Sequence, residues 1–230
     1  MFFDMNYLLW VMIPTLIISG AVQAYMSSTF SKWRNVSNGA GLTGAQVAQT
    51  LFQRTSLEPV QLIGVPGKLS DHFDPSNNTV GLSQDIAQGT SVASMAVAAH
   101  ELGHLQQHQQ KSPLMALRSF LVPAVRFSPS ISYALIIGGF LLNVAGLAWI
   151  GVIVFSLSVI FMLVTVPVEM NASNRAMRLL TEAGLLTNED DRRGARSVLN
   201  AAALTYVAAA VTSILQLLYY VSLVQRNSRR

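Results

Sequence analysis

Long apolar stretches alternate with shorter polar ones along the chain, and this alternation defines the predicted elements. Residues 7–26 are almost entirely apolar and about long enough to cross a bilayer as a helix, whereas residues 27–112 are more polar. One apolar segment alone is compatible with a buried core helix, but four in so short a chain favour membrane spans. The pattern therefore predicts a mainly α membrane protein with about four transmembrane helices. The three further apolar segments are 131–144, 149–166 and 201–224.

The first apolar stretch has a second interpretation as a cleaved signal peptide, because Val22-Gln23-Ala24 loosely resembles a cleavage site. No Lys or Arg precedes the stretch, although signal peptides usually begin with a basic region. We therefore expect residues 1–26 to form an uncleaved N-terminal transmembrane anchor. The apolar region that starts at Leu114 contains Arg118 and Arg126, which favours an interfacial position for its first part.

Short apolar runs and turn residues predict a small β-hairpin within the polar region. Residues 60–63 and 79–82 are predicted strands, and residues 74–78, Asp-Pro-Ser-Asn-Asn, form a turn between them. The second strand precedes a predicted helix. It either pairs with an extended peptide by edge addition or only covers that helix.

Three helix boundaries are marked by capping and dipole signals. Thr43 is expected to cap an amphipathic helix in the polar region. Thr90 or Ser91 is expected to cap a longer helix whose end is marked by Pro113. The acidic run at 187–191 is typical of the first turn of a helix, where the helix dipole favours negative charge.

Residues 100–104 read His-Glu-Leu-Gly-His, an H-E-x-x-H motif inside the longer predicted helix. Residues four apart lie on one helix face, so His100 and His104 can direct two imidazoles at one metal ion. Catalytic zinc is held by three protein ligands and a water, and Glu101 is placed to act as general base on that water. The alternative interpretation is a surface helix with incidental histidines.

Composition narrows the ligands that a metal site can use. Of the 230 residues, 51% are hydrophobic and 11% are charged, against about a quarter charged in ordinary soluble domains. The chain has no cysteine, which excludes disulfides and thiolate ligands and leaves histidine and carboxylate groups. No nucleic-acid motif and no basic-aromatic interleaving are present, so nucleic acid is not an expected partner.

Glu169, where the third apolar segment ends, is the predicted third ligand. A carboxylate in this position is costly unless it is paired, bound to a metal or at the water boundary. Two apparent spans separate His104 from Glu169, and this even number of crossings returns Glu169 to the side that holds the histidines. The alternative is a glutamate that snorkels to the membrane interface.

Three further residues have weaker cases. His108 continues the row of His100 and His104, and is either an alternative ligand or a solvated residue among neighbouring glutamines. His72 either stabilises a developing oxyanion or forms a local hydrogen bond in a turn. Tyr206 is a second candidate for stabilising the developing oxyanion.

Basic residues are distributed unevenly relative to the predicted spans. Twelve of the 15 Lys and Arg residues fall on the side of the predicted metal site, and three follow the last apolar segment. The positive-inside rule therefore predicts a multi-pass protein of the cell membrane whose active site faces the cytoplasm. The C-terminal arginines argue the other way, since four full spans would leave them outside: Arg226, Arg229 and Arg230.

Four separated blocks stand out together: 71–75 (DHFDP), 97–104 (VAAHELGH) with 107–108, 167–173 (PVEMNAS) and 198–209 (VLNAAALTYVAA). As a set they resemble the YugP-like neutral zinc metallopeptidases of bacterial membranes, over most of the chain. Such a set is more specific than H-E-x-x-H alone. The resemblance implies a zinc-binding, membrane-embedded protein that hydrolyses peptides.

A wider similarity is to the HtpX-like and prenyl-protein-processing membrane gluzincins, whose third zinc ligand lies in an E-x-x-A-D segment. Glu169 and Ala172 match this segment, but Ser173 stands where those enzymes have Asp. An Asp there can orient a ligating histidine, whereas a serine makes a weaker, neutral hydrogen bond. The serine in place of Asp is compatible with metal binding by Glu169, but it puts in question whether residue 173 orients a histidine ligand.

The sequence thus predicts a membrane-embedded zinc endopeptidase with a zincin-like metal helix and a small β-hairpin. His100, His104 and Glu169 are expected to bind Zn²⁺, and Glu101 to activate the water. The alternative is a non-catalytic, zinc-stabilised membrane scaffold or interaction protein. Such a protein has no need of a carboxylate beside its first ligand.

The expected partners are the lipid bilayer and a peptide or protein substrate, membrane proteins included. The sequence carries no indication of oligomeric state. The predicted segments are an N-terminal anchor (1–26), a zincin-like domain (27–113), an interfacial segment with a two-span helical hairpin (114–167), a helical segment with the third ligand (168–200), and a last transmembrane helix with a basic tail (201–230).

Overall fold

The structure is a computed structural model that describes residues 5–228. Of the described residues, 76% are helical, which confirms the mainly α class. Residues 1–4, 229 and 230 lie outside the described part, so two of the three tail arginines, Arg229 and Arg230, do as well. Within the described part, four helices are long and apolar enough to cross a membrane: Met5–Arg34, Pro113–Leu141, Ala145–Glu182 and Glu189–Asn227.

These four helices carry exposed apolar surface. In their most apolar windows, only 6% to 28% of the residues are buried inside the protein. Large side chains such as Trp10, Phe120 and Leu141 are more than two-thirds exposed. Soluble monomers rarely expose this much apolar surface, so the helices suit a lipid environment.

Side-chain caps start two helices of the polar region where the sequence predicts them. The Thr43 hydroxyl accepts a hydrogen bond from the backbone of Gln46, and the Gln46 side chain accepts one from the backbone of Thr43. Ser91, rather than Thr90, caps the metal-motif helix. In chain order the elements are α1 (Met5–Tyr7), a π-helical turn (Leu8–Met12), α2 (Ile13–Arg34), α3 (Gly44–Arg54), β1 (Gln61–Val65), β2 (His72–Asp74), β3 (Thr79–Ser83), α4 (Gln84–Gln88), α5 (Val92–Gln109), α6 (Pro113–Leu141), α7 (Ala145–Glu182) and α8 (Glu189–Ser228).

The small sheet has the strand order β1-β3-β2, with β1 parallel and β2 antiparallel to β3. The two predicted strands correspond to β1 and β3, but they pair in parallel, so the prediction that they form the hairpin was wrong. The hairpin consists of β2 and β3. Strand β2 is an addition to the prediction, because its three residues are too few to show strand alternation and only Phe73 among them is buried. Of the two alternatives considered for this strand, peptide addition is wrong, since β3 is the central strand and β1 and β2 occupy its two sides.

The boundary between α5 and α6 differs slightly from the predicted one. Helix α5 ends at Gln109, and Pro113 is the first residue of α6, where its missing N–H leaves no helical bond unmade. Helix α6 continues to Leu141 and contains Pro123 and Pro129. The segment predicted to be interfacial and the second apolar segment therefore belong to one helix.

Helix α7 extends the third apolar segment well beyond its apolar part. The chain turns at residues 142–144, just before the predicted break, with Asn143 at a φ of +55°, a conformation that asparagine tolerates. From Ala145 the helix runs without interruption past Glu169 to Glu182. Gly184, at a φ of +70°, then terminates it.

The chain folds into two compact units. Within the described residues, the first comprises those up to 22, 116–167 and those from 205 onward, and the second comprises 23–115 and 168–204. The first unit contains edge-on aromatic contacts, among them Phe155 with Tyr220 at 5.0 Å between ring centroids. In the second unit, α3, α4, α5 and the sheet share an apolar core with the C-terminal part of α7. The H-E-x-x-H motif and Glu169 both belong to the second unit.

Candidate metal centre

Helix α5 carries the H-E-x-x-H motif through the core of the second unit. Nearly every residue from Val92 to Leu105 is buried. Gly103, within the motif, permits a close contact with α7, because a β-carbon there would lie 2.4 Å from the carbonyl oxygen of Ala172. This approach brings the turn of α7 that carries Glu169 against the two histidines.

His100, His104 and Glu169 meet at one point. One ligand atom from each lies within 4.8 Å of the others. The Nε2 atoms of His100 and His104 lie 3.2 and 3.4 Å from the same oxygen, Oε2 of Glu169. Ligands of a tetrahedral zinc at about 2.0–2.1 Å are about 3.3 Å apart, so these separations match those around one shared ion. The prediction that the chain returns Glu169 to the histidines is confirmed.

The three groups are also shielded from water. Their side chains are exposed by 15%, 10% and 3% for His100, His104 and Glu169 respectively. A buried carboxylate is stable only with a compensating positive charge. A divalent ion supplies that charge, and two imidazoles with one carboxylate are a donor set of catalytic zinc sites. The residues present therefore fit zinc.

Gln107 orients one of the two imidazoles. Its Oε1 lies 3.0 Å from Nδ1 of His104, while its Nε2 donates to the carbonyl of Val168 and to Oδ1 of Asn171, both at 2.9 Å. Because the amide nitrogen is engaged with these acceptors, the amide oxygen faces His104. Nδ1 of His104 must then carry the proton, which leaves the lone pair of Nε2 free for a metal.

Ser173 plays the corresponding part for the other imidazole. Its hydroxyl lies 3.3 Å from Nδ1 of His100, a longer contact than the one that Gln107 makes. Ser173, which stands at the position of the Asp in the E-x-x-A-D segment, therefore contacts His100. The contact is neutral, so it fixes the orientation of the ring without adding negative charge.

The glutamines that follow the motif connect α5 to its neighbours. Arg175 of α7 donates to the side chains of Gln106 and Gln110, at 2.9 and 2.6 Å. Gln109 exchanges two hydrogen bonds with the backbone of Glu58. Gln107 was noted only as part of the family resemblance and was given no role at the site, although its spacing of three residues from His104 was a usable signal.

Glu101 is buried beside the cluster, at 7% exposure. Within residues 5–228, no protein hydrogen bond to its carboxylate is found. Burial raises the pKa of Glu101 above its ordinary value, although the neighbouring His100 and His104 partly oppose this rise. A raised pKa suits a carboxylate that must take up a proton and later release it.

The three weaker candidates are not part of this cluster. His72 is exposed on β2, and its Nδ1 lies 2.8 Å from the carbonyl of Ser70, which is the local hydrogen bond considered as its alternative role. His108 is exposed and packs against the Phe73 ring. Tyr206 lies on α8 in the first unit. Among the described residues, the group able to hold a metal contains none of the three.

Replacing Gln107 with leucine is expected to weaken zinc binding about 10- to 100-fold, the usual cost of losing a residue that orients a metal ligand. The measurement is zinc retention by the purified protein against a chelator of known affinity. Gln109→Leu is the matched control, because Gln109 bonds the backbone of Glu58 and touches no ligand. Equal zinc affinity for both variants would show that Gln107 does not support the site.

Comparison with known proteins places these residues in a wider context. The chain matches the family model described as "Putative neutral zinc metallopeptidase" over residues 8–225. It is 38% identical over 213 residues to the "Putative membrane protease YugP" of Bacillus subtilis (strain 168), which covers 93% of this chain and 94% of that relative. No solved structure matches the chain.

Proposed function

Since the chain belongs to the family described as "Putative neutral zinc metallopeptidase", we propose that it is a membrane-embedded zinc endopeptidase of the gluzincin type. In this proposal His100, His104 and Glu169 hold the zinc ion, and Glu101 is the general base. The observation that carries the proposal is the approach of two imidazole nitrogens, 3.2 and 3.4 Å, to one buried carboxylate oxygen.

The chemistry divides between the metal and Glu101. Zinc at such a site lowers the pKa of a bound water and polarises the carbonyl of the peptide bond. Glu101 accepts the proton that the water loses as its oxygen attacks the carbonyl carbon. It then donates this proton to the leaving amine as the carbon–nitrogen bond breaks. Burial of Glu101 keeps bulk water away from this transfer and supports its role as both base and acid.

The remaining polar residues support this step. Gln107 and Ser173 keep the two imidazoles in the orientation and tautomer that zinc requires. Tyr206 and His72 are the candidates for a donor to the oxygen that becomes negative during attack. A non-catalytic scaffold explains the three ligands but gives no reason to bury the Glu101 carboxylate beside them, which costs stability.

The chain is proposed to cross the membrane several times with its active site on the cytoplasmic side. This proposal is supported by the four apolar helices and by the 12 basic residues that the sequence assigns to the side of the metal site, ten of which lie in the second unit. A protease-sensitive tag inserted near residue 40 is expected to resist proteolysis in intact cells and to be cleaved once the cells are opened. Cleavage in intact cells would reverse the orientation.

Metal content and cleavage, measured together, test the proposed function. Detergent-purified protein is expected to contain about one zinc per chain by elemental mass spectrometry and to cut peptides in a proteome-derived library. A zinc chelator should abolish cleavage, and added zinc should restore it. Zinc-loaded protein that cuts nothing supports the scaffold. Protein that takes up no zinc on reconstitution contradicts the metal site.

A further inference from the structure

An open cleft of about 780 Å³ lies in the second unit, between the C-terminal part of α7 and the first turns of α8. Along α7 its wall runs from Ser173 to Glu182. These ten residues of helix cover about 13 Å, the length of about four residues of extended peptide. Ser173 is also the residue whose hydroxyl contacts His100, so the cleft begins beside the proposed zinc centre.

Three arginines from two helices line this cleft: Arg178, Arg192 and Arg196. Glu182 is the one acidic residue in its wall. Within the described part of the chain, no carboxylate pairs with any of the three arginines. The excess charge of the wall is therefore positive and not neutralised by the protein.

Neighbouring arginines outside the cleft are engaged with the protein. Arg193 pairs with Asp190 at 2.6 Å and lies over the Trp33 ring, and Arg175 bonds the side chains of Asn171, Gln106 and Gln110. Exposed guanidinium groups that line a cleft without a carboxylate partner are suited to bind a carboxylate, because their paired N–H groups match its two oxygens.

We propose that this cleft is a substrate subsite that binds a peptide carboxylate. The enzyme accordingly prefers substrates with an acidic group about two to five residues from the cleaved bond, the range that an extended chain covers along the cleft. The carboxylate belongs either to an Asp or Glu side chain or to the C-terminus of the peptide. The inference rests on the proposed peptidase function and adds the class of substrate to it.

Profiling of cleavage sites tests the preference. Zinc-loaded parent protein is incubated with a proteome-derived peptide library, and the cut sites are identified by mass spectrometry. Asp and Glu are expected to be enriched at one or two positions within this range. The triple variant Arg178→Gln/Arg192→Gln/Arg196→Gln is expected to lose the enrichment and keep its zinc. Arg193→Gln is the control, since it removes one positive charge from α8 outside the cleft.

A matched peptide pair gives the magnitude of the preference for an acidic substrate. For the best acidic substrate and its amide analogue, kcat/KM is expected to favour the acid about 10- to 100-fold, mainly through KM. The triple variant should lose this ratio and the Arg193→Gln control should retain it. Amidation of the peptide C-terminus tells whether the bound carboxylate is the terminus or an Asp or Glu side chain. It abolishes the preference for acidic substrates only when the terminal carboxylate is the bound group.

Binding to an inactive variant separates failure of this inference from failure of the proposed function. Zinc-loaded Glu101→Gln protein should bind a fluorescent octapeptide made of Glu and Ala more tightly than the same peptide with Gln in place of Glu. The three arginine substitutions should remove this difference in affinity. That result supports the subsite even if the parent cleaves nothing. Cleavage without acidic enrichment overturns it. The subsite is also overturned if the triple variant keeps the parental cut-site preference but no longer co-purifies with anionic phospholipid. That result would assign the cleft to lipid headgroups.

Discussion

Replacing Glu101 with glutamine is expected to lower kcat about 10²- to 10⁴-fold while the protein keeps its zinc. The amide cannot accept the proton of the attacking water, yet Glu101 is not among the three ligand groups, so metal content should not change. Thermal stability should remain equal or rise, because an amide costs less to bury than a carboxylate. Initial rates, zinc content and the Tm of the variant give the three readouts.

The control for Glu101→Gln is Glu58→Gln, the same chemical change at an exposed glutamate of the same unit. It is expected to match the parent in all three readouts. A Glu101→Gln protein that cleaves at the parental rate would remove Glu101 from the mechanism. A variant that loses both activity and zinc would instead show that Glu101 supports the metal site.

Replacing Glu169 with alanine is expected to lower zinc affinity by more than about 100-fold, beyond the usual effect of losing an orienting residue. The two imidazoles would then lack the carboxylate oxygen that lies 3.2 and 3.4 Å from their Nε2 atoms. Elemental mass spectrometry after dialysis against a weak chelator measures the loss. Activity should fall with the zinc content, and excess zinc should restore part of it.

Glu182→Ala is the matched control for Glu169→Ala, because Glu182 lies further along the same helix and is exposed. Its zinc content should equal that of the parent. Full zinc retention by Glu169→Ala would show that another group completes the metal site and that the buried Glu169 has a structural role.

Local signals in the sequence were sufficient for the parts of the fold that depend on neighbouring residues. The capping box at Thr43 lies within four residues, and the H-E-x-x-H motif within five. Apolar length alone indicated the four candidate spans. The position of Glu169 at the metal site could also be predicted, because an acidic group next to an apolar span is stable in few other arrangements.

Features that depend on distant contacts were not accessible. Gln107 orients His104 only because its amide nitrogen reaches the carbonyl of Val168, which is 61 residues away. Gly103 is needed because the α7 backbone occupies the space that the side chain of a larger residue would take. In both cases the partner lies on α7, far along the chain, so the spacing of residues within α5 does not identify the contact.

His100 and Glu169 are 69 residues apart, and the whole of α6 and much of α7 separate them. A ribosome therefore releases the two histidines well before the carboxylate that faces them. A nascent chain, or a fragment that ends before α7, holds an incomplete donor set and gains no active centre. If the proposed function is correct, newly made protein is therefore inactive as a peptidase until its later helices are in place.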